Sequence, residues 1–156
     1  MDIINKGALS LMLSIGHRVG LFDTMVSLPP STSKQIAIAS NLNERYTREW
    51  LATMVVGKIV NYDPSNDLYF FPKEKADLLI RDTKTYNFAA SMQWVPILGQ
   101  VEDEIVNCFK QGGGVPYSSY KRLFFKNFRV SLLPRQRKPL WRRLRPKRST
   151  TLSCKA

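Results

Sequence analysis

The stretch that most restricts the fold is residues 32–71, TSKQIAIASNLNERYTREWLATMVVGKIVNYDPSNDLYFF. Thr32 and Gln35 are spaced as a capping box, in which each side chain takes up the other's free backbone N–H. The helix they open shows Ile36, Ala37 and Ala39 as its inner face. Asn41-Leu42-Asn43 turns the chain, and Asn43 is placed to N-cap a second helix. There Tyr46, Trp50, Leu51, Met54 and Val55 recur at three- and four-residue spacing, the mark of a core-facing stripe. Gly57 is a natural stop. Short strand-like runs at 58–63 and 68–71 flank Pro64-Ser65-Asn66-Asp67, a turn sequence. Short helix, turn, longer helix and hairpin, in that order, predict a winged helix-turn-helix whose hairpin is the wing.

The flanks extend this unit with helices. Residues 2–28 read as one helix, in which Ala8, Leu9, Leu11, Met12, Leu13 and Ile15 leave almost no polar side. Such a helix is buried on more than one face. One face serves the chain's own core; the other calls for a partner, with Leu9, Met12 and Leu13 as candidates for a dimer interface. Gly20 and Pro29-Pro30 mark where this section ends. Beyond the wing, 73–80 reads as a short helix broken by Arg81-Asp82-Thr83, and 86–94 as another, with Pro96 bending or restarting the chain. Residues 98–111 form an amphipathic helix with Leu98, Val101, Ile105, Val106 and Phe109 on one face, ended by Gly112-Gly113-Gly114 and an extended loop through Tyr117. The expected class is mainly α: a winged helix-turn-helix with a two-stranded wing and extra N- and C-terminal helices.

Charge divides the chain sharply. The net charge of +12 suggests a nucleic-acid partner, but residues 1–120 hold 11 Lys+Arg against 12 Asp+Glu. Residues 121–156 hold the other 13 bases and no acid. The expected division is therefore a folded domain over 1–120 and a basic, disordered tail over 121–156, interrupted by Pro134, Pro139 and Pro146. Cys108 and Cys154 have no CxxC or Cys/His spacing, so neither zinc nor a disulfide framework is indicated. That suits a reducing compartment, and the expected location is the cytoplasm. The apolar run Ala8 to Gly16 falls short of the roughly 20 residues that span a membrane, so no membrane partner is expected.

No catalytic, cofactor-binding or metal-ligating residue can be nominated. His17 is the single histidine and has no Ser, Cys or Asp set around it; a satisfied, partly buried side chain explains it. Cys108 fits a small core residue. The three glycines follow a helix and precede no Lys-Ser/Thr, so they are a C-cap rather than a phosphate loop. Gly113 could also free Tyr117 to swing over a neighbouring site lined by Met92, Gln93 and Trp94, which makes these five the candidates for a substrate lid. On the second helix of the helix-turn-helix, Glu44, Arg45, Arg48 and Glu49 occupy the positions where base-reading residues lie. Two acids against two bases are a poor match for phosphates. The competing reading, a DNA- or RNA-binding module, therefore depends on the basic tail.

Three motifs, GALSLMLSIGHRVGLFD, LNERYTREWLATMVVGKIVNYD and VEDEIVNCFKQGGGVPYSSY, together resemble a known family. They are similar to the N-terminal winged-helix domain of class I S-adenosylmethionine-dependent methyltransferases, of a type first described in mycobacteria and present in animals. The resemblance runs from about residue 2 to residue 120. It implies a domain that does not read DNA but helps form a dimer; the apolar first helix is the expected surface for pairing with a second copy or with a full-length relative. It also implies that the domain covers one side of a substrate pocket. A Rossmann-like domain should follow, with a glycine-rich turn after its first strand and an acid for the cofactor ribose. No glycine follows Gly114 and no acid follows Glu104. The expectation is a truncated member without the S-adenosylmethionine site, inactive alone.

Overall fold

The computed structural model describes residues 2–83 and 86–120. Helices α1 (Asp2–Val19) and α2 (Leu21–Val26) precede the helix-turn-helix, formed by α3 (Ser33–Ser40) and α4 (Glu44–Val56). Strands β1 (Asn61–Asp63) and β2 (Leu68–Phe70) form the wing. There follow α5 (Lys73–Leu79), α6 (Phe88–Ser91), α7 (Trp94–Gln100), α8 (Glu102–Gln111) and a 3₁₀ turn at Tyr117–Ser119.

The helix-turn-helix is specified locally, as its sequence predicts. The capping box is complete: Gln35 N–H donates to Thr32 Oγ1 at 3.3 Å, and Thr32 N–H to Gln35 Oε1 at 2.8 Å. Asn41 closes α3 in the left-handed region at φ 54°, which its short polar side chain tolerates. The start of α4 differs from expectation. Asn43 holds the N-cap position but its side chain makes no capping bond. Ser33 Oγ instead donates to Glu44 Oε1 at 2.9 Å, joining the first residue of α3 to that of α4.

Two predicted core positions face outward. Tyr46 is 73% exposed, and Thr47 takes the buried place, its hydroxyl satisfied by the carbonyl of Asn43 at 2.9 Å. Ala39 is exposed as well; Ile36 and Ala37 carry the inner face of α3. Gly57 does end α4, but with φ −72°, and the left-handed residue is Lys58. The wing is shorter than the apolar runs suggest, pairing Asn61 with Phe70 and Asp63 with Leu68. Asp63 shapes its turn by accepting from Ser65 N–H and Asn66 Nδ2. An unforeseen bridge joins Ser31 to Tyr69 through two backbone bonds, so the entry to α3 lies against the wing.

The core lies where α1, α2 and α4 meet. Phe22 and Trp50 pack edge to face at 5.2 Å, with Leu51, Met54, Ile36, Val60 and Leu79 around them. A Cβ on Gly16 would lie 2.4 Å from the Trp50 ring, so only glycine lets α1 approach α4 this closely. Trp50 Nε1 donates to the Met12 carbonyl at 2.8 Å, which satisfies the buried indole.

Three long helices expected from apolar spacing are each interrupted. Residues 2–28 break at Gly20, whose φ of 80° reverses the helical twist. The predicted 86–94 helix is cut to α6, capped by Asn87 Oδ1 accepting from Ala90 N–H at 2.8 Å. The 98–111 helix is two, because Val101 leaves helical geometry at φ −110° while burying its side chain to 1% exposure. Pro96 is the third residue of α7, where a missing N–H costs no helical bond. Tyr117 opens the 3₁₀ turn rather than ending an extended loop. The expected disorder of 121–156 lies outside the described residues.

Candidate pairing surface

The sequence offers no catalytic cluster, and among the described residues no group of three or more His, Cys, Asp or Glu side chains could hold a metal ion. The chemistry on display is apolar surface, and α1 concentrates it. Its inner side is fixed by Ser14, Gly16 and His17, all buried. Leu9, Met12 and Leu13 are half-buried and pack against the core of their own chain. The exposed large apolar residues are different ones: besides Ile3 at the helix start, they are Ile4, Leu11, Ile15 and Val19, each two-fifths exposed or more. At spacings of seven, four and four they form one stripe along the helix.

That stripe runs to an open cavity of about 210 Å³ between α1 and α4, with Ile15 and Val19 on one side and Leu42, Tyr46 and Trp50 on the other. Tyr46, which leaves the core, stands at this cavity with most of its ring in solvent. A cavity of this size holds a few apolar side chains, less than the span of most ligand pockets. Solvent-exposed apolar surface continuous with such a hollow is the usual form of a protein-docking face.

Beneath the stripe, a polar clamp holds the junction of α1 and α2. Arg81 pairs with Asp23 at 2.6 Å, and its backbone N–H also donates to that carboxylate at 2.8 Å. Its other guanidinium nitrogen donates to the carbonyls of His17 and Arg18. These carbonyls sit at the C-terminal end of α1, where the helix dipole favours a cation. His17 departs from the satisfied histidine expected: it is buried, and its Nδ1 has no hydrogen-bond partner. Burial, and then the nearby Arg81 charge, push its pKa below the ordinary 6.5, with Asp23 opposing. The imidazole is therefore held neutral. The clamp was not foreseen; an Arg in a breaker segment gives no periodic signal.

On the helix-turn-helix face Arg48 pairs with Glu44 at 3.6 Å. Of the lid candidates, Met92, Gln93 and Trp94 lie half-buried at the turn from α6 into α7. Gly113 follows α8 in the left-handed region at φ 95°, and Tyr117 is 80% exposed with its ring 6.3 Å from that of Tyr120. Cys108 is free and half-buried on α8. The described residues do not fit an S-adenosylmethionine site: the glycine run follows a helix, and the two strands present form an antiparallel hairpin with no glycine-rich turn opening a helix. No described helix is long and apolar enough to cross a membrane.

The geometry defines a winged helix-turn-helix with added helices on both sides. Residues 7–81 match the model of the Rv2258c-like winged HTH domain. Among solved structures, human N-acetylserotonin methyltransferase in complex with SAM is similar over 82% of this chain and 39% of its own, at 15% identity and TM-score 0.60. The mitomycin 7-O-methyltransferase MmcR matches over 83% and 41%, at 12% identity and TM-score 0.59. The S-adenosylmethionine-dependent methyltransferase SibL in its apo form matches over 82% and 42%, at 16% identity and TM-score 0.56. The chain thus spans about two fifths of the length of these proteins, a likeness of fold. No curated protein matches the chain by sequence.

Proposed function

We propose that residues 2–120 are the pairing and pocket-covering domain of a methyltransferase-type protein, and that the chain associates through α1 with a second copy or a longer relative. The observation that carries this reading is the stripe Ile4, Leu11, Ile15 and Val19, left uncovered on a helix whose opposite side is already buried in the core. Its continuity with the hollow beside Tyr46 and Trp50 supports a partner helix rather than a small ligand. The family match and the structural neighbours, all methyltransferases by name, supply the enzyme context. In such an enzyme this domain contributes position, holding the acceptor in line with the donated methyl, rather than a reacting group.

Sedimentation of the chain alone tests the pairing. A dimer that Ile15→Asp dissociates, with helical content retained, supports it; a chain that is monomeric, or a dimer indifferent to Ile15→Asp, overturns it. Calorimetry with S-adenosylmethionine tests the division of labour. No binding is expected from these 156 residues, and specific micromolar binding would place a cofactor site within them.

A further inference from the structure

A second apolar surface lies far along the chain from α1, on α8. At positions i, i+4 and i+7, Glu102, Val106 and Phe109 share one face of this helix, and all three are exposed. Phe109 is 89% exposed, and no residue of α8 is buried. Glu102, Asp103 and Glu104 put three carboxylates in its first turn, against a single base, Lys110. A segment that is apolar and basic together would complement both features of this helix.

We propose that the occupant of this face is the segment following Tyr120 in the same chain, residues 121–130, KRLFFKNFRV. Its composition is complementary in both respects. Lys121, Arg122, Lys126 and Arg129 meet the acidic first turn, and Leu123, Phe124, Phe125, Phe128 and Val130 supply apolar surface for Val106 and Phe109. The part of the chain that would receive it is otherwise nearly neutral, so the attraction is local to α8. The starting point is also fixed: Ser119 Oγ donates to Glu104 Oε2 at 2.7 Å, which holds the end of the described chain beside α8. A helix of this length is roughly 15 Å long, and an extended chain covers that in about five residues. Tethering so close gives an effective concentration in the millimolar range, enough for contacts too weak to hold a free peptide. This inference stands apart from pairing through α1 and survives its failure.

The test uses the full chain and leaves α8 unaltered. Lys121→Gln, Arg122→Gln, Lys126→Gln and Arg129→Gln are introduced together, and amide hydrogen exchange is followed over residues 102–111. Exchange roughly three- to tenfold faster in the variant is expected, the range that a few exposed ion pairs supply. The difference should vanish at high salt. Carbodiimide should also join Glu102 to Lys126 within one chain, with a yield unchanged on dilution. Equal exchange in the two proteins, or crosslinks found between chains alone, overturns the proposal.

Discussion

Helices α4 and α8 are built to the same recipe and end in opposite situations. Each begins with acids, α4 at Glu44 and α8 at Glu102, and each places apolar residues at helical spacing. In α4 that spacing buries Trp50, Leu51 and Met54, because α1 on one side and α3 on the other come to meet it. In α8 it buries nothing. An amphipathic pattern thus states that a helix needs a partner, without saying whether its own chain supplies one. The same holds on α1, where one face is satisfied within the chain and the stripe around Ile15 is not.

The contrast predicts a steep gradient of mutational cost. Trp50→Ala removes the ring at the centre of the core and its bond to Met12, and should cost about 3–5 kcal/mol in urea unfolding. An effect below about 1 kcal/mol would mean that α1 does not rest on α4 as described. Gly16→Val tests the same contact by overfilling it. With 2.4 Å between the new Cβ and the indole, the expected loss is about 1–3 kcal/mol, seen as a lower melting temperature.

His17 gives a smaller effect with a defined sign. Its folded pKa lies below the unfolded value, so the unfolded chain binds the proton more readily. The neutral imidazole's contribution is complete above pH 6.5 and declines as pH falls from there through the lowered folded value. Stability measured across this window should slope downward towards acid, and His17→Gln should flatten the slope. At the bottom of the scale, Phe109→Ser on α8 should change global stability by no more than about 0.5 kcal/mol. A larger loss there would make α8 part of the core and erase the contrast.

Much of this arrangement is legible in the sequence because its causes are local. The capping box at Thr32 and the turn after Asp63 each need only a few neighbouring residues, and both form as read. What escapes local reading is decided at long range. Periodicity cannot distinguish Tyr46 from Thr47 as the buried residue, since both lie within one turn of Trp50 on α4 and the elements packed around them decide which is covered. It likewise marks Leu9, Met12 and Leu13 as apolar without revealing that they turn towards their own core, while the uncovered stripe runs through Leu11 and Ile15. Gly16 carried a usable signal: glycine within a helix is unfavourable, so its presence points to a close approach. Arg81 carried none, because its partners lie 58 and 64 positions earlier.

That arginine has a mechanical meaning. The family-matched segment begins in α1 and ends at residue 81, and Arg81 fastens its last residue to the end of α1 and to Asp23 in α2. The segment is thereby buckled into a loop, its exit secured beside its entrance. The chain beyond Arg81 is thus attached to α1 and α2 at this buckle, and to α1 again through α6.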